Sequence, residues 1–225
     1  MNIDVIMLSK GDNGQRKTMT QRAINSIYSS ESTVIPHIYV VETMEGVTYK
    51  NCEMIHPKEP FNYNKFTKYG INAIKGRSSY VLFVNNDIFM TKGALVPLIN
   101  NLLQFDSVSP ANPLLSQHKH LQRYEYLEGF SIWSPAYFCG WGFMMKWETV
   151  NQLGIDNMFP DEIEGWYSDN YLCDVMQKNG MRHALIPKSK MEHFGSITIK
   201  SLDKESHDKI TVGQEAAYKK LKEKL

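Results

Sequence analysis

The chain has 225 residues, enough for one sizeable domain with a continuous core or for two closely joined halves. Its 25 basic and 24 acidic residues nearly cancel, which excludes a strong global field toward nucleic acid or a membrane surface and leaves only a local basic groove open. No stretch approaches the roughly 20 consecutive apolar residues that span a bilayer.

Met1-Asn2-Ile3-Asp4-Val5 leads directly into a strand pattern with no basic or apolar leader, and Cys52, Cys139 and Cys173 lack metal-type spacing. A soluble, cytoplasmic protein with reduced thiols is expected. Up to about residue 105, strand and helix patterns alternate. Strands are predicted at Asp4 to Leu8, His37 to Glu42, Glu53 to His56 and Tyr80 to Val84; helices are predicted at Met19 to Ser29, Asn64 to Ala73 and Gly93 to Leu103. That alternation predicts an α/β fold with a parallel, doubly wound sheet. From Phe105 the pattern loosens, with Pro110, Pro113 and the polar Ser116-Gln117-His118-Lys119-His120 reading as loops. Further strands are expected at Phe143 to Lys146 and Arg182 to Ile186, with a helix between them from Asp169 to Asn179 stopped by Gly180. The charged tail from Ser201 contains a helical pattern from Glu215 to Leu225. This divides the chain into a regular first half (1–105), a looser second half (106–200) and a charged C-terminal tail or helix (201–225).

The apolar run Tyr80-Val81-Leu82-Phe83-Val84 ends in Asn85-Asn86-Asp87. Buried parallel strands read as continuous apolar runs, and open α/β sheets bind ligands beyond the carboxyl ends of their strands. A hard cation such as Mg²⁺ or Mn²⁺ takes carboxylate and phosphate oxygens, so Asp87 at a strand end suits a metal–diphosphate complex. By itself the segment reads equally well as an Asn-rich turn with Asp87 as a helix cap.

A second cluster, Asp161-Glu162-Ile163-Glu164-Gly165-Trp166-Tyr167-Ser168-Asp169-Asn170, and a third, Met191-Glu192-His193-Phe194-Gly195-Ser196, follow downstream. Together with Asp4 to Ser9, Glu42, Asn62-Tyr63-Asn64-Lys65 and Gly140-Trp141-Gly142-Phe143, this order resembles the GT-A glycosyltransferases, especially the non-processive family 2 type. The resemblance runs from about Ile3 to about Ile199. It implies a GT-A (Rossmann-like), mostly parallel central sheet flanked by helices, with a smaller acceptor-side region. It further implies transfer of one sugar from a nucleotide diphosphate sugar to a hydroxyl acceptor, with Mn²⁺ or Mg²⁺ as cofactor.

Under that resemblance Asp87 and His193 are the metal ligands and Asp169 is the catalytic base of an inverting transfer. Ser9, Asp12, Glu42, Asn64 and Asn86 contact the donor, Glu42 as the strand-end acid near base or ribose. Without it, Asp169 reads as a helix N-cap, His193 as a structural histidine, and Glu164 and Asp161 as a solvated acidic loop. Lys10, Arg16 and Lys17 could meet phosphate or decorate a surface loop. The chain departs from the family in three places. Asn85-Asn86-Asp87 carries one acid where Asp-x-Asp carries two. His193-Phe194-Gly195-Ser196 is one residue shorter than the family's His-x-x-Gly-Ser. Gln122-Arg123-Tyr124 does not reproduce the Gln-x-x-Arg-Trp of processive synthases, which points to single transfer.

Two other classes stay open. A nucleotidyltransferase would use a Gly-rich phosphate loop after the first strand, which Ser9-Lys10-Gly11-Asp12-Asn13-Gly14 partly imitates. A non-catalytic sugar- or nucleic-acid-binding module is the other. The acceptor could be a glycan or a hydroxymethylated DNA base, the latter needing a basic groove near Lys119, Arg123 and Lys146. Tyr124, Tyr126, Trp133, Tyr137, Trp141, Trp166 and Tyr167 could stack on a sugar or fill a core.

Overall fold

The computed structural model describes residues 1–74, 78–114, 138, 140–195 and 204–225, with side chains of the final stretch described from residue 213. The elements in order are β1 (Asn2–Ser9), α1 (Gly14–Ser30), β2 (Ile35–Glu42), β3 (Glu53–Ile55), α2 (Tyr63–Ile74), β4 (Tyr80–Asn85), β5 (Ile88–Met90) and α3 (Leu95–Asn101). They continue with β6 (Ser107–Ala111), β7 (Gly142–Lys146), α4 (Trp147–Leu153), α5 (Ile155–Met158), α6 (Ser168–Lys178), β8 (His183–His193) and α7 (Lys204–Lys222).

The strands join one eight-stranded sheet in the order β3-β2-β1-β4-β7-β6-β8-β5. β3, β2, β1 and β4 run parallel, the arrangement predicted from the alternating pattern. β7 is antiparallel to both β4 and β6, while β6 and β8 are parallel. The sheet thus continues without interruption from the first half of the chain into the second.

Successive strand side chains point to opposite faces, and the core divides accordingly. In β1, Ile3, Val5 and Met7 meet Leu82, Val84 and Met144 under the helices α1 and α3. Ile6 and Leu8 join Val81, Phe83, Phe143 and Met145 under α2, α4, α5 and α6. Phe83 and Phe143 are directly opposed in the β4–β7 ladder and stack at 4.7 Å. Such a cross-strand aromatic pair contributes about 0.5–1.5 kcal/mol beyond its burial. Gly70 lets α2 lie against β1, since a Cβ there would sit 2.5 Å from the Ile6 side chain.

The chain departs from the predicted boundaries where local pattern and packing disagree. α1 starts at Gly14 instead of Met19, because Asn13 caps it by accepting the Arg16 N–H while the polar first turn shows no apolar period. β6 lies where loops were expected. Its Ser107 and Ser109 are buried, and its β7 pairing stops at Val108, before Pro110, which lacks a ladder donor. β8 runs to His193, past the expected end at Ile186, across a register shift opposite Pro110 and Ala111. Among the described residues, no helix is long and apolar enough to cross a membrane. Burial pushes the Cys52 thiol up to about 11.

Candidate active site

The carboxyl ends of β1, β2 and β4 and the end of β8 converge on one edge of the sheet. Past Asn85 the chain turns through Asn86 and Asp87 into β5, whose pairing sets Ile88 opposite His193. The Phe194 N–H closes this corner on the Asp87 carbonyl oxygen at 3.0 Å. The result is that His193 Nε2 stands 3.2 Å from Asp87 Oδ1.

Both atoms are shut off from solvent, and neither has a hydrogen-bond partner among the described residues. A buried polar atom left in this state costs on the order of 1–3 kcal/mol, more if charged. Two ligands at right angles on a divalent ion with bonds of about 2.1 Å stand about 3 Å apart. The pair therefore fits a cation. No cluster of three or more His, Cys, Asp or Glu side chains occurs among the described residues, so the remaining coordination would come from substrate oxygens and water.

Trp141 stacks on the His193 ring, 5.1 Å between centroids and 8° from parallel. Its carbonyl oxygen accepts the Asn85 N–H at 3.0 Å, extending the β4–β7 ladder to the Asp87–His193 corner. Immediately before it, Gly140 packs on Asp169 so closely that a Cβ at Gly140 would lie 3.0 Å from Asp169 Oδ2. Gly140 also accepts the Tyr63 hydroxyl at 2.9 Å. Asp169, Gly140, Trp141, His193 and Asp87 thus form one continuous line of contacts.

Asp169 sits in the first turn of α6 and is not its cap; Tyr167 holds the cap position without a side-chain bond. The Asp169 carboxylate accepts the Asn170 N–H at 3.0 Å. Burial pushes its carboxyl above the ordinary carboxylate range, opposed by backbone N–H groups of Asn170, Asp169 and Gly140. Burial, with the nearby Asp169 charge, also raises the Tyr63 hydroxyl. Neither sequence pattern nor motif had singled out Tyr63; its only signal was its place inside Asn62-Tyr63-Asn64-Lys65.

The loop before α6 is held by α2. Asn64, fully buried, donates to the Pro160 carbonyl at 2.7 Å and accepts the Ser168 hydroxyl, while the Tyr63 N–H binds the Glu164 carbonyl at 2.6 Å. Tyr167 adopts φ +69°, a left-handed conformation that costs a non-glycine residue about 1–3 kcal/mol. Asp161 forms ion pairs with Lys68 and Lys65 on the surface, and Glu164 is exposed.

At the carboxyl ends of β1 and β2, the fully buried Glu42 accepts the Gly11 and Met44 N–H groups, each at 2.9 Å, and the Tyr49 hydroxyl at 2.8 Å. Ser9 contacts the hydroxyls of Thr20 at 2.9 Å and Tyr49 at 3.2 Å, and Asn86 donates to Ser9 and Thr20. Asp12 pairs with Arg16 and with Lys10 at 3.7 Å. In the first loop the Gly11 N–H thus turns onto Glu42, while the exposed Asn13 caps α1. Lys146 pairs with Asp106 at 3.7 Å. Lys119, Gln122, Arg123, Tyr124, Tyr126, Trp133, Tyr137, Cys139 and Ser196 lie outside the described residues.

No protein-family model matches the chain, and neither does any curated protein. Solved structures do. GalNAc-T7, crystallised with UDP, GalNAc and Mn²⁺, superposes with a TM-score of 0.59 at 11% identity, over 86% of this chain and 44% of that one. TarS of S. aureus superposes with a TM-score of 0.62 at 13% identity, over 97% of this chain and 43% of that one. The chain therefore spans less than half the length of either. Both have the GT-A glycosyltransferase fold, and the eight-stranded sheet with its flanking helices places this chain in that fold.

Proposed function

We propose that this protein is a metal-dependent glycosyltransferase that moves one sugar from a nucleotide diphosphate sugar to a hydroxyl acceptor, with inversion. The observation that carries the reading is the line of contacts from the Asp169 carboxylate through Gly140 and Trp141 to the unpartnered His193–Asp87 pair. It joins a base to a cation site across one strand end.

In this reading Asp87 and His193 hold Mn²⁺ or Mg²⁺, which when bound offsets the negative charge of the diphosphate leaving group. Asp169 accepts the acceptor hydroxyl's proton as that oxygen attacks the anomeric carbon from the face opposite the diphosphate, and that approach inverts the configuration. Its raised carboxyl is the stronger base for it. Gly140 admits the carboxylate because any side chain there would displace it. Trp141 fixes the orientation of the His193 ring and covers the metal corner.

Ser9 and Asn86, linked through Thr20, line the donor side. Glu42 shapes that side by fixing Gly11, Met44 and Tyr49, and Asp12 anchors Arg16 at the start of α1. Asn64 serves by holding Ser168, the residue before the base. The Gly11 N–H, engaged by Glu42, favours glycosyl over nucleotidyl transfer, because a phosphate loop presents its N–H groups to the ligand. No observation favours a nucleic-acid acceptor.

The test is a thermal-shift screen of nucleotide diphosphate sugars with and without Mn²⁺, followed by product analysis of any hit. A donor at 100 times its dissociation constant stabilises by about 2.7 kcal/mol, roughly 5–10 °C for a domain of this size. A Mn²⁺-dependent shift and release of a free nucleoside diphosphate are expected. Release of pyrophosphate, or retained anomeric configuration in the product, refutes the corresponding part of the reading.

A further inference from the structure

The helix α7 follows β8 in chain order and contributes none of the groups described above. Yet its described side chains gather on the loop that carries Asp169. Tyr218 stacks on Tyr167, 5.3 Å between centroids and 13° from parallel. The Tyr218 hydroxyl donates to Asp174 Oδ2 at 2.7 Å, and Lys222 reaches the other Asp174 oxygen at 3.0 Å. Gln214 accepts the Glu164 N–H, and Tyr218, Leu221 and Leu225 pack on the apolar cluster beneath α6.

Tyr167 is also the residue with φ +69°, and it is followed directly by Ser168 and Asp169. A left-handed non-glycine residue persists only where its surroundings over-determine it. On one side the surroundings are α2, through Tyr63 and Asn64. On the other they are α7, through the Tyr218 ring.

The geometry points to α7 as a clasp that holds Tyr167 in its left-handed conformation and thereby aims the Asp169 carboxylate at Gly140, with Tyr218 as the positioning residue. The assignment of a role to the aimed carboxylate rests on the reading of Asp169 as base; the clasp itself does not. Two aromatic faces fix a ring plane more tightly than an aliphatic contact does, and the Asp174 bond fixes the Tyr218 ring in turn. Because Asp174 and Asp169 belong to the same helix, the clasp ties the body of α6 and its entry loop to one external element. Misplacement of a reacting group by about 1 Å costs up to a hundredfold in rate, so a loop released at Tyr167 should register in turnover without altering donor affinity.

The experiment uses the full chain with Tyr218→Ala, Tyr218→Leu, which keeps apolar volume if alanine fails to fold, and Tyr218→Phe, which keeps the ring but not the Asp174 bond. Asp169→Asn is carried alongside. Backbone amide exchange is followed across residues 165–169, and nucleotide release is measured from a mixture of UDP- and GDP-sugars with Mn²⁺. Tyr218→Ala and Tyr218→Leu are expected to speed exchange of those amides by about tenfold or more and to slow turnover by about tenfold, with donor KM within about twofold; Tyr218→Phe, which keeps the stacked ring but loses the Asp174 bond, falls between Leu and wild type in both. Unchanged exchange in the Leu variant, or a Phe variant as impaired as Leu, overturns the clasp. If Asp169→Asn keeps wild-type turnover, the base reading fails and the exchange result alone decides the clasp.

Discussion

Replacing Asp169 by Asn separates proton acceptance from every other contact of that side chain. The amide keeps the shape and can still accept the Asn170 N–H that now binds the carboxylate at 3.0 Å, but it cannot take a proton from an acceptor hydroxyl. General-base assistance is worth about 10² to 10⁴-fold, or about 2.7 to 5.4 kcal/mol of transition-state stabilisation. The expected result is a loss of that size in kcat, with the donor dissociation constant within a few-fold of wild type. Stability supplies a second, independent reading with its own sign. Burial raises the Asp169 carboxyl in the folded state, so the folded chain binds its proton more tightly than the unfolded chain does. The contribution of this carboxyl to stability is then fully present below the ordinary aspartate pKa of about 3.9 and declines as pH rises toward the raised folded value. Asn carries no such penalty. Whatever constant its altered hydrogen bonds to Asn170 and Gly140 add, the stability of the variant relative to wild type should climb with pH through that window. Melts across pH 3 to 8 read this directly. Turnover within a few-fold of wild type rejects the base, and a difference in melting temperature that stays flat with pH rejects the buried, proton-holding carboxyl.

Asp87→Ala removes one of the two atoms facing each other at 3.2 Å and should weaken Mn²⁺-dependent donor binding by more than tenfold, since loss of even an outer partner of a metal ligand costs about 10 to 100-fold. Its fold should survive, because the carbonyl of residue 87 still accepts the Phe194 N–H; an unaltered Mn²⁺ titration by calorimetry would contradict the site. His193→Ala should weaken the same titration more modestly. Gly70→Ala should destabilise the protein by about 1–3 kcal/mol in urea melts, although alanine favours helix by about 1 kcal/mol, because its Cβ meets the stiff Ile6 side chain at 2.5 Å. The acidic limb of kcat/KM against pH should lie above the ordinary aspartate range and disappear in the residual activity of Asp169→Asn; a limb at about pH 3.9 in wild type would count against Asp169 as the group reported.

The parallel half was legible because its strands are buried on both faces, so Val5 to Leu8, Ile38 to Val41 and Val81 to Val84 read as apolar runs separated by helical periods. The second half was less so. β6 reads as Ser-Val-Ser-Pro-Ala, and its serines are buried by the tertiary environment, Ser107 through a short bond to His183. Asp87 and His193 could be nominated from order and motif, but their opposition arises from the β5–β8 ladder, which joins residues more than a hundred positions apart and has no local signal. What Tyr63 and Trp141 touch was hidden for the same reason, although Trp141 stood among the aromatics that could stack on a sugar or fill a core. Each is an aromatic residue of a type that usually fills cores, and only the β4–β7 and α2 contacts reveal what it holds.

The antiparallel strand β7 explains why Asp169 and the His193–Asp87 pair lie on one line of contacts. A parallel neighbour to β4 would send its carboxyl end toward Asn85 and its amino end away. The antiparallel β7 instead brings its amino end, Gly142, opposite Val84, so the residues entering β7 land beside the end of β4. Gly140 and Trp141 are those residues. One touches Asp169 and the other stacks on His193. A shift of β7 by one residue would turn Phe143 off its stack with Phe83 and reverse the faces of Met144 and Met145, so the core penalises every other register. The packing that fixes β7 therefore also fixes the spacing between the proposed base and the proposed metal pair, without a further device at the site. With only two protein ligands, the cation would be held firmly only when diphosphate oxygens complete its shell. Metal and donor affinity should then be reciprocal, each tightening the other by the same factor.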